Sequence, residues 1–336
     1  MHNHRIFITG GAGYCGSKLV PKLLKKGHKV TVYDIMYFGS SFLPKNNPNL
    51  SVIEGDIRNY LKIREVCKDH DIFISLACVS NDASFELDEE LSTSINMNAF
   101  EPMVKAAKES GIKRFIYASS SSVYGVSDKL NVTENHPLVP LTLYNKYKGL
   151  CEPILEKYTD KEFIGTTFRP ATVCGYAPRL RLDLSVNILT NHAFNRNKIT
   201  VFGGDQLRPN LNISDYCDAV ELLIDAPTEK ISNQKFNIGY QNLSINEIAF
   251  LVKKVVEDEF PEKKNIDIVK TESNDNRSYH IDSSKIYKIL GFKPKHTIED
   301  AIKGLCDAFR NDLIVGDSFE NDIYHNVKRL KSIQAK

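Results

Sequence analysis

The stretch Arg5-Ile-Phe-Ile-Thr9-Gly10-Gly11-Ala12-Gly13-Tyr14-Cys15-Gly16 decides the fold. An apolar run, Arg5–Thr9, passes straight into a glycine-rich turn and then into a helical pattern over Gly13–Lys26. In that context each glycine has its own duty. Gly10 allows the tight turn, Gly13 lets backbone approach a pyrophosphate, and Gly16 lets the helix pack on the strand. The helix N-terminus, with Tyr14 and Cys15 in its first turn, then faces the phosphates. Asp34 ends a second apolar run, Lys29–Asp34, about 20 residues on, the distance expected in a dinucleotide-binding unit. Its carboxylate is expected to hydrogen-bond the adenosine ribose and to repel a 2′-phosphate, which favours NAD over NADP. Ile35-Met36-Tyr37-Phe38 after it holds no arginine for such a phosphate.

Outward from this unit, short apolar runs alternate with helical patterns, the signature of a parallel sheet with crossover helices. Strands are expected at Arg5–Thr9, Lys29–Asp34, Ser51–Glu54, Asp71–Ala77, Arg114–Ser119, Glu162–Arg169 and Lys235–Gly239. The runs are apolar rather than alternating, as in strands covered on both faces. Helices are expected at Gly13–Lys26, where Pro21 should bend the helix, and at Asn59–His70, Glu90–Ser110 and Leu143–Tyr158. After about residue 170 loops lengthen and Pro261, Gly291 and Pro294 interrupt the helices. The reading is an α/β, doubly wound Rossmann sheet with a smaller C-terminal substrate-binding lobe. Residues 1–170, with 206–240 returning, form the NAD domain; 171–205 and 241–315 form the lobe; 316–336 form a polar, peripheral tail helix.

Composition narrows the function. Among 336 residues, 44 basic and 42 acidic side chains leave a net charge of +2, which argues against a nucleic-acid or membrane-binding surface. No apolar stretch approaches the ~18 residues of a membrane span, and the first strand begins too early for a signal peptide to fit in front. Seven cysteines, none in a Cys-x-x-Cys pair, read as reduced thiols of a cytoplasmic protein, and no metal site is expected.

The second informative stretch is Ser119-Ser120-Ser121-Ser122, followed by Tyr144 and Lys148. The serines end the Arg114–Ser119 strand, while Tyr144 and Lys148 share one helix face. The lysine ammonium is expected to favour the tyrosine anion, which can then act as a base. Tyr-x-x-x-Lys also occurs at Tyr14/Lys18 and Tyr324/Lys328, so the pair acquires meaning only from its surroundings.

Together these features resemble the extended short-chain dehydrogenase/reductase family, the NAD-dependent nucleotide-sugar epimerases and dehydratases. The resemblance covers nearly the whole chain: the glycine loop, Asp34, Asp56-Ile57, Leu76-Ala77, Asn96, Ser119–Gly125, Tyr144/Lys148, Arg169-Pro170, Arg208 and the Ile281–Lys285 and Leu290–Pro294 patterns. It implies that Tyr144 is the acid/base, that Lys148 holds the nicotinamide ribose and lowers the tyrosine pKa, and that Ser120 hydrogen-bonds the reacting sugar oxygen. It places Asp56, Ile57, Leu76, Ala77 and Asn96 beside the cofactor. It implies a nucleotide-diphosphate sugar held by Ser121, Thr172, Arg181, Asn187, Arg208 and Arg277, and a homodimer built on helices near 90–110 and 143–158. Arg179 and Arg181 are candidates for phosphate or sugar contact, Arg181 also for an internal pair with Asp183.

Ser121 and Ser122 narrow the reaction. Relatives that eliminate water or decarboxylate resemble one another in carrying an acid just before Val-Tyr-Gly, and this chain has hydroxyls there. What remains is hydride transfer with one proton: 4-epimerisation, or net oxidation or reduction at C4. A 4,6-dehydratase and a non-catalytic NAD-binding protein are lesser alternatives. Thr172 and Ser75 stand where the commoner epimerases carry Asn and His.

Overall fold

The structure, a computed structural model, describes residues 3–127, 131–272, 278 and 280–335. In chain order it contains β1 (Arg5–Thr9), α1 (Tyr14–Lys25), β2 (Lys29–Asp34), β3 (Leu50–Glu54), α2 (Tyr60–Val66), β4 (Ile72–Ser75), α3 (Asp82–Phe85), α4 (Glu89–Thr93), α5 (Phe100–Glu109), β5 (Arg114–Ala118), α6 (Leu143–Tyr158) and β6 (Ile164–Pro170). There follow β7 (Thr172–Cys174), α7 (Ser185–Arg196), β8 (Lys198–Phe202), β9 (Leu207–Asn212), α8 (Ile213–Asp225), α9 (Thr228–Ile231), β10 (Gln234–Ile238), β11 (Gln241–Ser244), α10 (Ile245–Glu259), β12 (Asp267–Thr271), α11 (Ser284–Leu290), α12 (Ile298–Arg310) and α13 (Asn326–Ser332).

Seven parallel strands form one sheet in the order β10-β6-β5-β4-β1-β2-β3, the doubly wound topology the sequence implied. The order reverses between β1 and β4, and a crevice opens there at the strand C-termini. Apolar clusters cover both faces. One joins Ile6, Ile8, Leu19, Val32 and Ile74 to Val220 and Leu223 of α8. The other joins Phe7, Phe73 and Phe115 to Met103, Val104 and Leu155 of α5 and α6. Register sets Phe7, Phe73 and Phe115 side by side, with centroids 5.1 and 4.7 Å apart. The lobe is built on a β11-β9-β7 sheet and a β12-β8 pair, packed on α7, α10 and α12. From the 206–240 stretch, β10 joins the large sheet and α8 packs on α1, while β9 pairs with β7 and β11.

Several boundaries differ from expectation for local reasons. The helix expected over 90–110 is broken by a π turn at Ser94–Asn98. That turn aims Asn96 inward, where its side chain accepts from Val79 N–H and donates to Val79 O, both at 2.8 Å. The strand expected to reach Ala77 ends at Ser75: Leu76 N–H still bonds Thr9 O at 3.0 Å, and beyond it Ala77 crosses Gly10. The hydroxyls of the other two Tyr-x-x-x-Lys tyrosines are taken up by backbone: Tyr14, which also lines the crevice, donates to Gly175 O at 2.6 Å, and Tyr324 is bonded through its hydroxyl to Val315. The tail is not peripheral: Tyr324 and Asn326 are each 5% exposed and pack back across the crevice. Among the described residues no helix is long and apolar enough to cross a membrane, and no group of His, Cys, Asp and Glu could hold a metal ion. The seven cysteines are free.

Glu152 on α6 and Arg169 on β6 form a buried pair, with side chains 1% and 2% exposed. Two parallel bonds join them, Nη2 to Oε2 at 2.5 Å and Nε to Oε1 at 2.9 Å. Ser119 Oγ donates to Glu152 Oε1, and Arg169 Nη1 donates to the Tyr124 hydroxyl, which donates on to Asn237. Removing one member of such a pair strands the other charge away from water, at a cost of about 3 to 5 kcal/mol. Glu152→Ala is therefore expected to lower the thermal midpoint by roughly 5–15 °C, a few degrees per kcal/mol in a domain of this size. An unchanged melting curve would contradict this role.

Candidate active site

The crevice is a cleft of about 620 Å³ running from the glycine loop past Tyr144 to the lobe. At its floor Gly10 has φ +74°, and a Cβ there would lie 2.5 Å from Ala77 N, so only glycine lets the loops after β1 and β4 touch. A Cβ on Gly16 would meet Gly11 O at 2.3 Å, so the helix packs on the turn only without it. α1 starts without a side-chain cap and without an acidic residue in its first turn. Its first N–H groups therefore remain available to an anion, and the helix dipole favours one. Asp34 accepts from Ala12 N–H at 3.0 Å and Met36 N–H at 2.9 Å, which fixes the carboxylate at the crevice edge. Its burial pushes the carboxyl pKa up, and the two N–H bonds and Arg179 oppose that shift. Asp56, paired to Arg58, and the buried Ile57 lie on the far wall, with Leu76, Ala77 and Cys15 on the floor. Cradle, edge carboxylate and apolar walls together fit a dinucleotide. Asn96 lies outside the cleft lining; it shapes the Val79 loop.

At the middle of the cleft, Thr142 caps α6 by accepting from Asn145 N–H, which sets the register of the following turn. Tyr144 faces the cleft, and Lys148 one turn on donates to Ala118 O at 2.8 Å, at the end of β5. Ser120 begins the 3₁₀ turn Ser121–Tyr124 and also faces the cleft. Its Oγ lies 2.7 Å from Ser122 Oγ, which donates to Asn145 Oδ1 at 2.5 Å. With its own proton on Asn145, Ser122 can only accept from Ser120, whose Oγ also accepts from Ser122 N–H at 3.2 Å; the Ser120 hydroxyl proton is the one left to rotate between Ser122 and an incoming sugar oxygen. Ser122 is thus a support for Ser120, a role its position in a serine run did not reveal. Ser119 bonds to Glu152 and holds α6. The expected lowering of the Tyr144 pKa is reversed by its surroundings. Burial pushes it up, reinforced by Cys78 and Asp82 and opposed by Arg181 and the Asn81 N–H.

In the outer half, Ser121, Thr172, Arg181 and Arg208 line the cleft together with Thr200, Phe202 and Gln206. Arg181 is tied to Asp183 by bonds of 2.9 and 3.2 Å and to Ser80 Oγ at 3.2 Å. Burial lowers its pKa, and Asp183 more than restores it. Arg208 Nη1 donates to Leu207 O at 2.9 Å. Asn187 points away from the cleft: it accepts from Gly175 N–H and donates to Arg181 O and the Tyr14 hydroxyl, so it shapes the 175–181 turn. Arg277 lies outside the described residues.

Some cleft residues had no clear sequence signal. Asp82 opens α3 beside Tyr144 and accepts from Thr142 Oγ1 at 2.5 Å. Asn81 before it has φ +74°, a backbone state uncommon outside glycine and one that collects at functional sites. Asn326, from the tail, also lines the cleft.

Comparison with known proteins agrees with this geometry. The sequence model of the NAD dependent epimerase/dehydratase family matches residues 6–239. A UDP-glucose 4-epimerase of Lactobacillus helveticus is 29% identical over 332 aligned positions, spanning 89% of this chain and 94% of its own. A UDP-N-acetyl-alpha-D-glucosaminuronate decarboxylase of Bacillus cytotoxicus is 30% identical over 261, spanning 73% and 78%. The fold matches a crystal structure of UDP-glucose 4-epimerase with UDP-glucose from Thermotoga maritima, at TM-score 0.82 and 24% identity, over 92% of this chain and 99% of that one. Relatives with different reactions thus share the frame. With the match covering more than half its length, the chain belongs to the NAD-dependent epimerase/dehydratase family.

Proposed function

We propose that this protein is an NAD-dependent nucleotide-sugar 4-epimerase. The observation that carries the reading is the strand-end turn beside Tyr144, which presents the hydroxyls of Ser120, Ser121 and Ser122 and no acid. Elimination of water or carbon dioxide needs a further group that exchanges protons near neutral pH. Asp82, the carboxylate beside Tyr144, already accepts from Thr142 at the α6 cap.

Tyr144 as phenolate takes the proton of the sugar 4-hydroxyl, and Ser120 hydrogen-bonds the same oxygen. NAD, when bound there, would supply the hydride acceptor and donor for C4. Lys148 holds the nicotinamide ribose, and its charge opposes the burial that raises the Tyr144 pKa. The 4-keto sugar turns about its diphosphate tether, and Tyr144 gives the proton back. Arg208 and Thr172 are assigned to the nucleotide diphosphate, with exposed Phe202 offering a face to the base. Holding the nucleotide away from the reacting ring is what lets the ring turn. A homodimer through α5 and α6 fits the exposed Leu150 on α6 and the nearby Leu138.

Incubation with UDP-, GDP-, dTDP- and CDP-sugars, followed by mass spectrometry and NMR, is expected to give a product of unchanged mass with inverted C4. Loss of water would turn the assignment to dehydration, and reduced NAD accumulating with turnover would turn it to net dehydrogenation. Tyr144→Phe should cut kcat by about 10³-fold and Ser122→Ala by roughly 10-fold, within the range of general acid–base effects; full activity of either contradicts its role. The pH profile of kcat/KM carries a sign. Asp82 disfavours the phenolate, so Asp82→Asn should move the acid limb to lower pH. Arg181 favours it, so Arg181→Gln should move the limb to higher pH. Shifts of the same sign in both variants would refute the arrangement.

A further inference from the structure

The tail does more than cover surface. Ser318 Oγ donates to Asn191 Oδ1 at 2.7 Å on α7, and Arg196 lies 3.7 Å over the Phe319 ring, which anchors one end to the lobe. Leu182 N–H donates to Tyr324 O at 2.9 Å. Asn326 then enters the cleft: its backbone N–H donates to Asp183 Oδ2 at 3.0 Å and its side chain to Ser80 Oγ at 2.9 Å, while its Oδ1 accepts from Arg179 Nη2 at 2.6 Å. Arg329 Nε donates to Tyr37 O at 2.7 Å, in the loop after β2, and Leu330 lines the cleft. The segment therefore spans the crevice from the lobe to the adenosine side of the glycine loop.

What it holds there is Arg179. This side chain is 1% exposed, lines the cleft and lies 3.5 Å over the Phe38 ring. Its backbone N–H bonds Ser17 Oγ in the first turns of α1. Its Nε is buried with no hydrogen-bond partner among the described residues. Burial, and then neighbouring Arg181, push the guanidinium down to about 9, the sign of a cation whose surroundings under-compensate it. A bound diphosphate beside the α1 N-terminus would supply the missing negative charge.

We infer that residues 315–335 are a strap that closes the NAD cleft, with Asn326 positioning Arg179 against the cofactor diphosphate, so that NAD stays bound from one turnover to the next. The inference rests on NAD occupying the cleft and is independent of which sugar reaction follows. It is tested without substrate. Holoenzyme is diluted into buffer, and NAD released over time is assayed after separation from protein. Arg329→Ala and Asn326→Ala should each release NAD at least tenfold faster than the wild-type protein; release within twofold in both overturns the strap. Arg179→Met should weaken NAD binding at least tenfold by titration calorimetry, and unchanged affinity removes Arg179 from the site. In wild-type protein, hydrogen exchange over 322–332 should slow when NAD is added; identical exchange with and without NAD also overturns the proposal.

Discussion

Glu152 and Arg169 meet between α6 and β6, away from water, and the geometry of the site depends on that contact. The pair is bidentate, so it fixes direction as well as distance. It sets α6 against the ends of β5 and β6, and α6 carries Tyr144 and Lys148 on the turns before Glu152. Ser119 bonds the same carboxylate, so the turn carrying Ser120 is located by the same anchor. On the other side, Arg169 reaches the Tyr124 hydroxyl and through it Asn237 of β10, which also bonds the loops at Val132 and Asp282. One buried network thus aligns Tyr144, Lys148 and Ser120 with the sheet edge.

The second constraint is the contact of Gly10 with Ala77, which closes the floor under the cofactor. Between the two constraints the cleft has a polar middle and an asymmetric charge pattern. Asp82 and Arg181 act on Tyr144 with opposite sign, and burial dominates both. Burial of the hydroxyl is therefore the main obstacle to the phenolate at this position.

Much of this was legible in the chain because local rules and tertiary packing agree there. The bounds of β1, β2 and α6 follow from apolar runs and caps, and the strand–glycine–helix unit with Asp34 states the sheet topology. Other parts were illegible for physical reasons. The π turn at Ser94–Asn98 exists to bring Asn96 to Val79, a contact 17 residues away that no periodicity records. Asn187 looked like a polar cleft residue but is consumed by backbone at Gly175 and Arg181. Ser122 looked idle until folding brought Asn145 to it. The tail read as polar surface because its work is done by a few long-range bonds, from Asn326 to Ser80 and Arg329 to Tyr37, rather than by an apolar stripe.

The central claim is that the site moves one hydride and one proton at C4 and nothing else. A nucleotide sugar carrying deuterium at C4, incubated with the protein in ordinary water, tests it directly, with NMR locating the label. The account predicts that deuterium remains at C4 in the inverted product, and that the same reaction in deuterated water places no label at C3 or C5. Solvent deuterium at C5 or C3, or loss of the label from C4, would contradict it.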